Sequence, residues 1–79
     1  MSHETIDAKR LLCPMPVIKL QNAVKSKTTG DSLEIICTDP GTLNDIPSWC
    51  RIYKHELVST VQADNEITFI IKVGVVSHA

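Results

Sequence analysis

The chain has 79 residues, 43% hydrophobic and 22% charged, with three aromatic side chains and a formal net charge of −1. Folding at this size buries roughly 60% of the surface that the unfolded chain exposes, enough for one modest core but not for a deep cleft around a large cofactor. Residues 1–79 are therefore expected to form one domain with its chemistry near the surface, and 8 Lys and Arg against 9 Asp and Glu supply no basic field for direct nucleic-acid binding.

Cys13, Cys37 and Cys50 are too few and too far apart for a disulfide scaffold, and an odd count leaves a free thiol. Such usage suits a reducing compartment, and no apolar run approaches membrane-spanning length. A cytoplasmic protein with no membrane association is expected.

In chain order, residues 5–9 alternate weakly around Ile6 and Ala8 and read as a first strand. Pro14 and Pro16 open a helix running to about Lys27, in which Val17, Leu20 and Val24 recur at helical spacing, with Lys25 and Lys27 near its end and Gly30 as a stop. Residues 33–38 read as a strand with Leu33, Ile35 and Cys37 on one face, closed by Asp39-Pro40-Gly41. A second helix starting at Thr42 would put Pro47 past its first turn. A cap at Asn44 or Asp45 avoids this and predicts a helix to about Lys54, with Ile46, Trp49, Cys50 and Tyr53 on one face.

Residues 57–63 and 67–73 read as strands joined by an Asp64-Asn65 hairpin turn. The order β-α-β-α-β-β predicts an α+β two-layer sandwich: a four-stranded mixed sheet with both helices on one face. Its first two strands are expected to be parallel and its last two antiparallel.

The chemistry concentrates at Leu12-Cys13-Pro14-Met15-Pro16. With Pro14 as the first helical residue, Cys13 becomes the N-cap, and the helix dipole favours its thiolate. Pro14, Met15 and Pro16 stiffen this loop, while Lys9, Arg10 and Leu12 are candidates for docking or electrostatic support. No Cys-x-x-Cys pair or neighbouring His motif accompanies the thiol, so a lone nucleophile suits the uptake and release of sulfane sulfur as a persulfide. From spacing alone, a small buried hydrophobe at a helix start accounts for Cys13 equally well.

Beyond that loop, Asp7-Ala8, Asp39-Pro40-Gly41-Thr42, Asp45-Ile46-Pro47 with Trp49-Cys50, and His55-Glu56-Leu57 occur in order. Together with Cys13-Pro14-x-Pro16, this pattern resembles the TusA/SirA family of small sulfur-carrier proteins over nearly the whole chain. The resemblance implies the same two-layer fold and makes Cys13 the persulfide-bearing residue. It also implies a donor of the cysteine desulfurase or rhodanese kind and an acceptor protein, in tRNA thiolation, molybdenum-cofactor synthesis or sulfur oxidation. The chain departs from many relatives at Arg10, where Gly is frequent, at Leu12, often polar or basic, and at Met15, commonly Glu. Apolar Leu12 and Met15 give the thiol a greasier surroundings and remove a negative charge that opposes the thiolate.

Cys37 is expected in the core, and Cys50 is read first as core filling and second as a further sulfur-handling thiol. His55 is read as a helix-ending histidine that favours the dipole, and His3 and His78 as residues of frayed termini. No metal or cofactor is expected, and the carrier is expected to act as a monomer. The rival reading is a non-catalytic, redox-responsive regulatory or adaptor module that binds a partner through the Cys13 loop or the open sheet face.

Overall fold

The computed structural model describes residues 3–74. Their elements follow the expected order: β1 (His3–Ala8), α1 (Met15–Val24), β2 (Ser32–Cys37), α2 (Thr42–Ile52), β3 (Glu56–Ala63) and β4 (Glu66–Lys72). The sheet order is β1-β2-β4-β3, with β1 and β2 parallel and both β2–β4 and β3–β4 antiparallel. His3 thus opens a strand rather than a frayed end, and His78 lies outside the described residues.

Alternation along the strands builds the core. Leu33 pairs with Ile71, Ile35 with Phe69, and Cys37 with Ile67, so one face of β2 and β4 is continuously apolar and buried. Ile6 and Ala8 extend that face onto β1, opposite Ile35 and Cys37. The two helices pack against each other on this side, contributing Pro16, Leu20 and Val24 from α1 and Thr42, Ile46, Trp49 and Cys50 from α2. Both sets follow the i, i+4 spacing of a helix stripe. Tyr53, expected on the buried stripe, is half exposed, with its ring centroid 5.8 Å from that of Trp49.

Three boundaries differ from expectation. Helix α1 ends at Val24, before the basic residues expected in its last turn, and Lys27 instead pairs with Glu4 at 3.1 Å. Gly30 lies beyond the helix at φ 98°, where its N–H donates to the Val73 carbonyl at 2.9 Å. Helix α2 begins at Thr42, so Pro47 sits inside it. Asp39 secures that earlier start: its carbonyl accepts the Thr42 N–H at 3.0 Å and the Thr42 hydroxyl at 2.7 Å. The buried Thr42, Ile46, Trp49 and Cys50 stripe then offsets the helix bond that Pro47 cannot make.

Turn chemistry fixes the remaining ends. Asp64 and Asn65 have φ 54° and 65°, the left-handed pair that a type I′ hairpin requires. Lys54, at φ 63°, follows α2 in the place usually held by Gly, and His55 N–H reaches back to the Cys50 carbonyl at 2.8 Å to close a Schellman turn.

Candidate functional site

Because β1 and β2 are parallel neighbours, the loops that follow them emerge from the same end of the sheet. One carries Cys13 and the other Asp39-Pro40-Gly41. Side chains of the second loop hold the backbone of the first. Thr38 Oγ1 accepts the Arg10 N–H at 2.8 Å, and Asp39 Oδ2 accepts the Cys13 N–H at 2.9 Å. Asp39 Oδ1 accepts the Gly41 N–H at 3.1 Å, so one carboxylate organises both loops. The two N–H bonds to Asp39 place its charge on the Cys13 loop.

Gly41 lets the sulfur approach closely. A Cβ on it would stand 3.2 Å from Cys13 Sγ and 3.5 Å from each Asp39 carboxylate oxygen. The sulfur therefore lies against the turn that opens α2, with Asp45 one turn further along the helix.

The start of α1 differs from the expected cap. Pro14 holds the N-cap position after a cis Cys13–Pro14 peptide bond, Pro16 is within the first turn, and Cys13 precedes the cap. Two backbone amides next to the sulfur are committed elsewhere: Met15 N–H donates to the Leu12 carbonyl at 2.9 Å, and Cys13 N–H to Asp39. The expected thiolate is correspondingly disfavoured. A hydrogen bond to Asp45, desolvation and a hydrogen bond to Asp39 push the thiol from 9.0 up to about 12, reinforced by both negative charges. Asp39 moves the other way, its carboxyl held below the usual range by the N–H groups of Cys13 and Gly41 and by the thiol.

Of the three cysteines, Cys13 is partly exposed, whereas Cys37 and Cys50 are buried. Burial pushes both of those thiols up to about 11. Leu12 is 73% exposed and Met15 45%, so apolar surface does flank Cys13 on its own loop and helix. Lys9 and Arg10 are exposed, and the charges that raise the thiol are acidic. The sequence reading missed Asp39, Gly41 and Asp45 as neighbours of Cys13. The available signal was the parallel pairing of β1 and β2, which brings their following loops together.

At the far end of α2, His55 departs from its expected role as a dipole-favouring cation. Its ring stacks on Trp49 with centroids 4.7 Å apart, its Nδ1 accepts the Gly74 N–H at 3.0 Å, and burial lowers its pKa. Thr38 and Pro40, which flank Asp39, also line an open groove of about 540 Å³ with Leu43 and the Asp64-Asn65 turn, but none of the three thiols lines it. Among the described residues, no cluster of three or more His, Cys, Asp or Glu side chains is arranged to hold a metal ion, and no helix is long and apolar enough to cross a membrane.

Comparison with known proteins places this geometry in context. The crystal structure of a SirA-like protein from Desulfitobacterium hafniense superposes with a TM-score of 0.80 at 20% identity, covering 90% of this chain and 97% of that one. At that identity the likeness establishes the fold: a mixed four-stranded sheet with two helices. The family model described as sulfurtransferase TusA matches residues 4–73, spanning both loops and all six elements but for the first residue of β1. The chain belongs to the TusA sulfurtransferase family, whose proteins act as sulfur carriers in relays with partner proteins.

Proposed function

We propose that the protein accepts sulfane sulfur on Cys13 as a persulfide and relays it to an acceptor protein. The observation that carries this reading is the contrast among its thiols. Cys13 is partly exposed just before α1 and lies against the turn that opens α2, while Cys37 and Cys50 are buried. Attack of Sγ on the outer sulfur of a donor persulfide forms one S–S bond as another breaks, so the sulfur moves with no external oxidant. The domain supplies presentation and docking, with Leu12 and Met15 as apolar surface beside the reacting atom.

Free thiols suit a cytoplasmic relay, and a cysteine desulfurase or rhodanese-like protein has the chemistry to serve as donor. Incubation with a desulfurase and cysteine, without strong reductant, is expected to add the mass of one sulfur to the peptide bearing Cys13. Cys13→Ser is expected to remain unloaded while keeping its fold by circular dichroism. Absence of loading of the intact protein from both donor classes overturns the reading.

A further inference from the structure

The two edges of the sheet are finished differently. With the order β1-β2-β4-β3, β1 and β3 each turn one side of their backbone to no other described strand. Such an edge is a template for a further strand unless charge, proline or a distortion blunts it. β1 is blunted: it carries Glu4 and Asp7, Glu4 pairs with Lys27, and the Lys19 ammonium donates to the Asp7 carbonyl at 3.1 Å. β3 is the longest of the four strands, and from Leu57 to Ala63 it holds no charged residue, no proline and no glycine. Its Val58 and Val61 are 53% and 56% exposed. We propose that the protein self-associates through this edge, a second copy adding its β3 antiparallel to the first about a two-fold axis at Val61, so that two sheets become one of eight strands.

Charge selects the occupant. A segment without charge meets its own copy without like-charge repulsion, whereas two β1 edges would bring the Glu4 and Asp7 carboxylates of both copies together.

Charge and regularity then fix the register. Residues opposite each other in a continuous sheet share a face, so an odd-numbered residue of β3 meets an odd-numbered one of the second copy. Centring the pair on Thr60 would set Glu56 of each copy against Asp64 of the other. Centring it on Ser59 would run the irregularity between Leu57 and Ser59 of both copies into the new ladder. Centring it on Gln62 leaves three pairs before the turn at Asp64. With Val61 at the axis, Ser59 meets Ala63, Thr60 meets Gln62 and Val61 meets its own copy, five pairs drawn from the regular part of the strand. Val61 lies opposite Thr68, on the face turned away from the buried Ile67 and Phe69, and the two Val61 side chains cover each other there.

This pairing leaves the sulfur site open. β1, which leads into the Cys13 loop, is the opposite edge of the sheet, three strand spacings or about 14 Å away. Antiparallel pairing also points the Cys13 ends of the two copies in opposite directions. Five residue pairs make a small interface, of the weak and reversible kind.

The test is sedimentation velocity of the reduced protein over a roughly hundredfold range of concentration reaching about 1 mM. The wild-type sedimentation coefficient is expected to rise toward that of a dimer. Val61→Lys, which sets two ammonium groups against each other at the axis, is expected to stay monomeric, and Thr5→Lys on β1 to associate as wild type does. Circular dichroism establishes that each variant is folded. The register is read separately in a Cys13→Ser background, leaving Cys37 and Cys50 buried. Directly opposite Cα atoms stand about 4.5–5.5 Å apart, within disulfide reach, so Val61→Cys is expected to cross-link to its own copy on oxidation with diamide. Ser59→Cys, whose two copies stand about 14 Å apart in this register, is expected not to. A wild type that stays the expected monomer over the whole range overturns the proposal, as does folded Val61→Lys that associates like wild type, or Ser59→Cys that cross-links as readily as Val61→Cys. Since Cys13 is uncovered in either state, Val61→Lys is expected to accept sulfur at the wild-type rate.

Discussion

The two ends of helix α2 solve the same structural problem with opposite electrostatics. At its start, Asp39 accepts a backbone N–H from the Cys13 loop; at its finish, His55 accepts a backbone N–H from Gly74, the residue that leaves the sheet. An 11-residue helix separates the two ties by roughly 16 Å. The first uses an anion and leaves charge beside a partly exposed thiol. The second uses a neutral ring stacked on Trp49 and leaves no charge. Both ends anchor a neighbouring segment, but only the first sets the protonation of a reactive atom.

Gly74→Ala gives the largest expected effect and breaks the second end alone. A Cβ there collides with the Lys54 backbone carbonyl, which cannot swing aside as a flexible side chain can. A loss of about 3 kcal/mol is expected from the urea unfolding midpoint, at the upper end of overpacking costs. Cys13 alkylation in the folded fraction is expected to stay at the wild-type rate. A changed rate shows that the two ends are coupled through the helix.

The ends also respond to pH in opposite directions. Burial lowers the His55 pKa from its ordinary 6.5, so its contribution to stability is complete above that value and is lost as pH falls through the depressed folded-state value. Protonation of Nδ1 removes the acceptor for Gly74 N–H. For Cys13 the folded value is raised from 9.0 to about 12, so its contribution is complete below 9.0 and is lost as pH rises toward 12. Urea midpoints measured across pH 5 to 8 are expected to decline on the acid side, and His55→Asn is expected to flatten that decline without altering the alkylation profile of Cys13. An unchanged acid slope in the variant assigns the decline to other groups.

Much of this contrast was legible in the sequence at the level of elements, but less at the level of contacts. The alternation of Leu33, Ile35 and Cys37, the helical crossover after β1, and Asp64-Asn65 between two apolar strands led directly to the sheet and its hairpin, because period and turn chemistry are local properties. Avoidance of an internal proline points to a later start for α2, but the Asp39 carbonyl takes both the Thr42 amide and hydroxyl and secures the earlier one. The thiol's environment was reversed for a related reason. A helix start suggests positive potential from local geometry alone, whereas the carboxylates of Asp39 and Asp45 reach Cys13 across more than 20 residues of chain, and in this site their hydrogen bonds and charges prevail. For His55, a place after the helix suggests a dipole-favouring cation, whereas its stack on Trp49 and its bond to Gly74 are long-range contacts that local sequence does not carry.

The smallest expected effects come from one substitution beside each end. Arg10 and Lys54 hold φ 69° and 63°, a region where a side chain is disfavoured and Gly is not. Arg10→Gly and Lys54→Gly are each expected to stabilise the fold by about 0.5–1 kcal/mol, the relief of left-handed strain being partly offset by the greater freedom of Gly in the unfolded chain. Arg10 also sharpens the electrostatic side of the comparison. It stands three residues before Cys13, whose thiol is raised by Asp45 and Asp39. Arg10→Gly is therefore expected to raise the urea midpoint while leaving the pH profile of Cys13 alkylation within twofold of wild type. A profile displaced to higher pH shows instead that the Arg10 guanidinium offsets the two carboxylates, making the protonation of Cys13 a balance between its own loop and the start of α2.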